Sequence, residues 1–229
     1  MDIAVDELRQ VGNALTGKSA ETILKWALNT FPGRVTMASS FGLEDVVLID
    51  QVTDLVSSPD VFFLDTGLLF AETYQTLGAI ESRYGFKVRC IEPELTVDEQ
   101  NERYGTKLWA RDPDACCGLR KVAPLKRALL NYSAWITGIR REQSATRAQA
   151  QAVEWDQAHG LVKINPLVLW STEEVWTWIR ERGVPYNPLH DQGYPSIGCA
   201  PCTRPVQPGD DPRAGRWSGF DKKECGLHP

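Results

Sequence analysis

With 229 residues, 42% of them hydrophobic, the chain is long enough to bury the core of one ordinary domain, which excludes a disordered or fibrous polypeptide. Its 25 Lys and Arg against 30 Asp and Glu leave a net charge of −5; this argues against a nucleic-acid binder acting through overall charge, so an anion must be met by a local basic patch. No apolar run approaches the about 18 residues of a membrane span, and the acidic start Met1-Asp2-Ile3-Ala4-Val5-Asp6-Glu7 lacks the basic region of a secretion signal, so a cytoplasmic protein is expected.

The first 30 residues read as two helices. Ile3, Leu8, Val11 and Leu15 share one face, and Ser19 then caps a second helix carrying Ile23, Leu24, Ala27 and Leu28, which Pro32-Gly33 stops. From there the period changes. Short apolar runs at Val35 to Ala38, Val61 to Leu64, Lys87 to Ile91 and Ala134 to Thr137 alternate with helical stretches such as Leu43 to Val52 and Ala71 to Tyr84, the pattern of a parallel α/β sheet. A helix over Thr172 to Arg182, opened by Ser171-Thr172-Glu173-Glu174, closes the regular part. Beyond Gly183, Pro185, Pro188, Pro195, Pro201, Pro205, Pro208 and Pro212 punctuate a segment without period. Residues 1–183 are therefore expected to form a nucleotide-binding α/β domain and residues 184–229 a C-terminal segment laid over it, the two making one structural unit.

Charge is unevenly spread. Residues 1–107 carry nine basic and 17 acidic side chains, residues 108–147 eight and three, and the remainder eight and ten, so the middle is a basic island. In an open parallel sheet, ligands sit beyond the carboxyl ends of the strands, where loops offer backbone N–H groups to anions. Two loops have that character: Ser39-Ser40-Phe41-Gly42-Leu43-Glu44-Asp45 and Asp65-Thr66-Gly67. Each also reads as a plain helix cap or turn, and neither is G-x-x-x-x-G-K-S/T or G-x-G-x-x-G.

The six cysteines fall into different settings. Cys90, within Lys87-Val88-Arg89-Cys90-Ile91, reads as a small buried hydrophobe. Cys116-Cys117 and the C-x-x-C of Cys199 and Cys202 supply four thiolates, enough for a tetrahedral zinc site or for one 4Fe–4S cluster. Adjacent cysteines diverge along the backbone, which suits separate irons better than one ion. Cys225 stands alone among Lys222, Lys223 and His228, whose charges would favour a nucleophilic thiolate; the alternative is an exposed terminal thiol without a role. His159 and His190 read as structural or surface residues, and Trp170, Trp176 and Trp178 as core filling.

At these residues the sequence resembles the assimilatory adenylyl-sulfate reductases, the iron-sulfur branch of the reductases of adenylyl sulfate and its 3′-phosphorylated form. The likeness runs from about Val35 to the C-terminus. It is carried by Ser39-Ser40-Phe41-Gly42, Leu64-Asp65-Thr66-Gly67, Cys116-Cys117-Gly118-Leu119-Arg120-Lys121, Thr137-Gly138-Ile139-Arg140-Arg141, Gly198-Cys199-Ala200-Pro201-Cys202, Arg213-Ala214-Gly215-Arg216-Trp217 and Glu224-Cys225-Gly226-Leu227-His228. The resemblance implies a Rossmann-like adenine-nucleotide α-hydrolase fold related to ATP pyrophosphatases, with the Ser-Gly-Gly-x-Asp-Ser loop of those enzymes altered here.

It further implies an oxidoreductase that converts adenosine 5′-phosphosulfate to sulfite and AMP in sulfate assimilation. Cys225 would attack the sulfuryl sulfur, and thioredoxin or glutaredoxin would release sulfite from the resulting S-sulfocysteine. Cys116, Cys117, Cys199 and Cys202 would hold one 4Fe–4S cluster that passes no electrons to substrate. Lys121, Arg140, Arg141, Arg213 and Arg216 would grip the phosphosulfate, and His228, counted with the substrate site, would help a partner or Cys225. The adenosine would lie across Ser39, Ser40, Phe41, Gly42, Leu64, Asp65 and Thr66, and Gly138 would allow its close approach. The chain ends without a fused thioredoxin-like domain, so a separate reductant is expected, and the family tends toward symmetric homo-oligomers. The 3′-phosphorylated substrate is the near alternative. An ATP-dependent thiolating enzyme of the same fold lacks its ATP loop and basic RNA face here, and a zinc-binding interaction module would leave Cys225 unused.

Overall fold

In the computed structural model the described residues are 5–222 and 224–228. Ile3, Lys223 and the chain's last residue, on which parts of the sequence reading fall, lie outside them. Two N-terminal helices, α1 (Val5–Leu15) and α2 (Ala20–Thr30), lead in, and the Ser19 side chain caps α2 by accepting from the Thr22 N–H at 3.2 Å. Three strand and helix pairs follow: β1 (Val35–Ser39) with α3 (Leu43–Thr53), β2 (Val61–Leu64) with α4 (Ala71–Tyr84), and β3 (Arg89–Ile91) with α5 (Val97–Tyr104). Next come α6 (Pro113–Cys117), a π-helical turn over Gly118–Val122, α7 (Ala123–Leu129) and β4 (Ala134–Ile136). A hairpin of β5 (Val153–Asp156) and β6 (Leu161–Ile164) precedes α8 (Thr172–Arg182), whose Ser171 and Glu174 form the expected capping box.

The six strands lie in the order β3-β2-β1-β4-β6-β5, all parallel except the pairing of β5 with β6. The chain moves from β1 outward to β3 and then returns to place β4 on the other side of β1. That reversal makes the ends of β1 and β4 a topological switch point, where α/β sheets bind ligands. One face of the sheet buries Met37, Val61, Phe63, Ala134 and Ile136 against α2, α3 and α8. The other buries Phe62 and Trp135 against Leu125 and Leu129 of α7. The alternation of β4 is visible here, since Trp135 faces α7 while its neighbours face the opposite core.

Trp170, Trp176 and Trp178 pack against the larger core as expected, and Trp178 donates to Asp50 at 2.9 Å. Cys90 does not fit its expected place. It is exposed, because β3 is the sheet edge and hydrogen-bonds to β2 alone. Among the described residues, no helix is long and apolar enough to cross a membrane.

Candidate active site

A cavity of about 550 Å³ opens at the switch point. Ser39, Ser40, Phe41 and Gly42 form its floor, following β1, and Leu64 and Thr66 enter from the end of β2. Gly138 and Arg140 follow β4, and Arg213, Arg216, Cys225 and His228 come from the C-terminal segment. Twelve of the residues expected at the site thus come from four separate stretches of chain that this topology brings together.

The floor is built by the turn between β1 and α3. Phe41 takes a left-handed backbone conformation (φ 57°) and sends its ring into the core, 5.6 Å from that of Phe63, so it can offer a ligand only backbone. Its N–H is held by Ser39 Oγ at 3.1 Å. The Ser40 N–H and hydroxyl both donate to Asp45 Oδ2, at 2.6 and 2.8 Å. Burial pushes the Asp45 carboxyl up to about 6, against the lowering effect of the Ser40 bonds, and Glu44 raises it further. Gly138 has a different duty from the expected one. A Cβ there would stand 2.6 Å from Asp45 Oδ1 and 2.8 Å from Glu44 Cβ, so the missing side chain lets the loop after β4 close on the start of α3.

The Asp45 shift has a consequence for stability. The folded state keeps its proton up to about pH 6 while the unfolded carboxyl releases it near its ordinary value. Between about pH 4 and 6 the folded state therefore binds more protons, and stability falls as pH rises, by about 3 kcal/mol over the window. Chemical denaturation of Asp45→Asn is expected to lose that slope; an unchanged slope would assign it to other groups.

Cations meet at the opposite wall. Lys121 lies in the π-helical turn that follows Cys117, and the extra residue of such a turn re-aims its side chain inward. Burial works against its ammonium, yet Cys199 and Cys225 outweigh that and hold its pKa above the ordinary lysine value, with Cys117 adding and Arg216 opposing. Arg216 lies flat over Trp217, its Cζ 4.5 Å from the ring centroid, and donates to Ser196 Oγ at 3.1 Å. It also passes so close to Gly198 that a Cβ there would sit 2.2 Å from Nη2. Arg213 donates to Glu224 at 3.0 Å.

Three of the expected residues are engaged by the protein itself at this wall. Arg140 lines the cavity but is tied to Glu44 (2.8 Å), Glu142 (2.9 Å) and the Trp170 carbonyl (3.0 Å), which makes it a strut. Arg141 turns away, donating to the Ala150 carbonyl at 2.7 Å; it opens a 3-10 turn over Arg141–Gln143, whereas Arg140 before it is extended. Asp65 also stays out of the cavity, accepting from the Gly67 N–H at 2.9 Å and the Tyr74 hydroxyl at 2.7 Å.

The surroundings of Cys225 differ from the local sequence. Lys222 pairs with Asp114 and lies 5.4 Å over the Trp217 ring. His228 stacks on Trp135 with centroids 5.3 Å apart and planes 20° off parallel, and burial holds it neutral, well below the ordinary histidine range. The cations that act on Cys225 are instead Lys121 and Arg213, brought from a distance by the fold. His190, expected to be structural or at the surface, stands in the cavity wall 6.0 Å from Trp176, where burial lowers its pKa. Arg147 and Trp135, which the sequence reading passed over, also line the cavity. Arg147 belongs to the basic island, the one signal that could have found it.

A second, small cavity lies behind the wall, lined by Cys116, Cys117, Cys199 and Cys202 together with Trp109 and Arg120. Lys121 and Arg216 line both cavities and so form the partition between them. The buried Arg120 ties the two motifs together, donating to the Thr66 carbonyl at 2.5 Å, while Thr66 Oγ1 lies 3.3 Å from Cys199 Sγ. Burial pushes the Cys116 thiol up to about 12 and Cys202 to about 11, with neighbouring thiolates next in order, so four anionic sulfurs here call for a cationic partner. Four thiols around one small cavity are a donor set that fits a 4Fe–4S cluster, each iron taking one thiolate. Among the described residues, Asp65, Cys90 and Glu92 at the sheet edge bring three further ligand atoms within 4.8 Å of one another.

The chain is similar to known proteins over most of its length. Residues 34–205 match the phosphoadenosine phosphosulfate reductase domain. The chain is 46% identical over 222 residues to adenosine 5′-phosphosulfate reductase of Halalkalibacterium halodurans, covering 96% of each chain. It is 50% identical over 223 residues to the protein of that name from Mycolicibacterium smegmatis, covering 97% of this chain and 94% of the other. Among solved structures, phosphoadenylyl-sulfate reductase from Candida auris superposes with a TM-score of 0.78 at 29% identity, covering 89% of this chain and 99% of that one.

Proposed function

Since the chain belongs to the phosphoadenosine phosphosulfate reductase family, we propose that it is an adenylyl-sulfate reductase that converts adenosine 5′-phosphosulfate to sulfite and AMP. The observation that carries this is one cavity in which a nucleotide floor, a wall of Lys121, Arg213 and Arg216, and the Cys225 thiol face the same space. The adenosine lies along Ser39 to Gly42 and the end of β2, and the phosphosulfate faces the cationic wall. Guanidinium forks and a buried ammonium cancel the repulsion between an anionic nucleophile and an anionic substrate.

Cys225 thiolate attacks the sulfuryl sulfur. An S–S bond forms, the bond from that sulfur to the phosphate oxygen breaks, and AMP leaves with the electron pair. A thiolate of thioredoxin, or of glutaredoxin, then attacks Cys225 Sγ; sulfite departs, and the donor's second thiol resolves the mixed disulfide. Two thiols thus furnish both electrons. Residues 1–183 and 184–229 act as one functional unit in this reading, because nucleotide floor and nucleophile come from different segments. Cys116, Cys117, Cys199 and Cys202 would hold one 4Fe–4S cluster, which when bound supplies a fixed charge behind Lys121 and Arg216. A symmetric homo-oligomer in the cytoplasm completes the reading.

The near alternative is the 3′-phosphorylated nucleotide: phosphoadenosine 5′-phosphosulfate reductase of Gloeobacter violaceus is 48% identical over 211 residues, between the 46% and 50% of the two adenylyl-sulfate enzymes, so identity does not separate the two substrates. The deciding experiment measures sulfite release from each nucleotide by anaerobically purified protein with thioredoxin, alongside its iron and sulfide content. Faster release from adenosine 5′-phosphosulfate, with about four irons per chain, is expected. Release from the 3′-phosphorylated form alone would reverse the substrate, and iron-free active protein would remove the cluster.

A further inference from the structure

Glu224 immediately precedes Cys225, and its carboxylate is more heavily engaged than any other acid of the C-terminal segment among the described residues. Arg147 donates to it twice, Nε to Oε1 at 3.0 Å and Nη2 to Oε2 at 2.9 Å. Arg213 Nη2 donates to Oε2 at 3.0 Å, and Thr146 Oγ1 lies 3.3 Å from Oε1. The three charged side chains are mostly buried, at 13%, 16% and 17% exposure for Arg147, Glu224 and Arg213. Forked, charge-assisted bonds with little water around them are the strong kind.

Arg147 is itself fixed to the loop after β4. Its Nη1 donates to Gln143 Oε1 at 2.5 Å, and Gln143 in turn accepts from the Arg140 N–H at 3.0 Å and donates to the Gly138 carbonyl at 3.2 Å. A continuous run of hydrogen bonds therefore leads from the loop after β4 to the residue beside the nucleophile. On the other side of Cys225 the anchor is apolar: Leu227 packs on the Phe62 and Trp135 cluster, and His228 stacks on Trp135.

We infer that Glu224 is a positioning residue, a charged latch that fastens the nucleophile-bearing segment to the loop after β4 so that Cys225 faces the cavity. This rests on Cys225 being the nucleophile. The carboxylate itself need not touch the nucleotide. A thiol that serves a buried substrate and then an external dithiol needs an attachment that opens, and a mostly buried ionic fork whose charges regain water on opening can do so where an apolar anchor cannot.

The test compares wild-type holoprotein with Glu224→Gln, which keeps shape and loses charge. Hydrogen exchange of the amides of residues 218–228, read against those of β3, is expected to speed up about tenfold. In turnover kcat should fall about tenfold with KM for the nucleotide within about twofold. Arg147→Gln should speed the same amides, and the double variant should add less than the product of the single effects. Wild-type exchange in Glu224→Gln, an unchanged kcat, or independent effects in the double variant would each overturn the latch. Should wild-type protein take no sulfonate on Cys225, the proposed function falls while the exchange comparison still decides whether the segment is latched.

Discussion

Replacing Cys225 by serine is expected to abolish sulfite release, by on the order of 10⁴-fold or more, while the brown colour and iron content of the protein stay at wild-type levels. The reason lies in the separation of the sulfurs. Cys225 lines the larger cavity, whereas Cys116, Cys117, Cys199 and Cys202 line the smaller one behind the partition. A serine hydroxyl is un-ionised near neutral pH and cannot form the S–S bond on which the second step depends. The side-chain volume hardly changes, and Leu227 and His228 still anchor the segment, so the fold has no cause to fail. Visible absorption and a sulfite assay on the same sample check both halves. Appreciable turnover by the serine variant would remove Cys225 from the chemistry.

The second large effect is expected at Lys121. Glutamine there should lower kcat by about 10²- to 10³-fold, the usual loss on removing one preorganised charge from a site where charge is transferred. Lys121 is buried in the partition, and three of the groups acting on its ammonium are cysteine sulfurs, Cys199, Cys225 and Cys117. Without that charge the approach of a thiolate to a sulfuryl group loses its main compensation. The cluster spectrum should shift as well, because the same ammonium faces the sulfurs on the other side. A kcat within a few-fold of wild type would mean that Arg213 and Arg216 suffice.

The strands and helices that follow a clear period were legible in the sequence. Ala71–Tyr84 and Thr172–Arg182 have the expected ends, and β1, α3 and β4 differ from the expected ones by one residue. The hairpin of β5 and β6 was not legible. Val153–Asp156 carries two acids in four residues, and its pairing is made by the adjacent strand rather than by its own pattern. Cys90 shows the same limit from the other side. An apolar run cannot reveal that its strand ends up at the sheet edge, since strand order is set by distant segments.

Within the site, the cysteine grouping could be read because spacing along the chain carries the chemistry. The contacts could not. Arg140 and Arg141 are equivalent as letters, yet only the first lines the cavity, because the chain passes from extended backbone into a 3-10 turn between them. Gly138 looked like room for a nucleotide and proved to be room for Asp45 and Glu44. Among the described residues, Lys121 and Arg213 act on Cys225 from a distance along the chain, while Lys222, three residues before it, is spent on Asp114. Each of these depends on three-dimensional proximity that no local window contains.

The central claim, that the lone C-terminal thiol carries the transferred group while the other four of the site hold iron, is tested most directly by mass. Anaerobic protein is mixed with adenosine 5′-phosphosulfate in the absence of any thiol donor and its peptides are weighed. One sulfonate on the peptide containing Cys225, lost again with release of sulfite when thioredoxin is added, is the expected result. A sulfonate on any of Cys116, Cys117, Cys199 or Cys202, or full turnover through an unmodified Cys225, would contradict it.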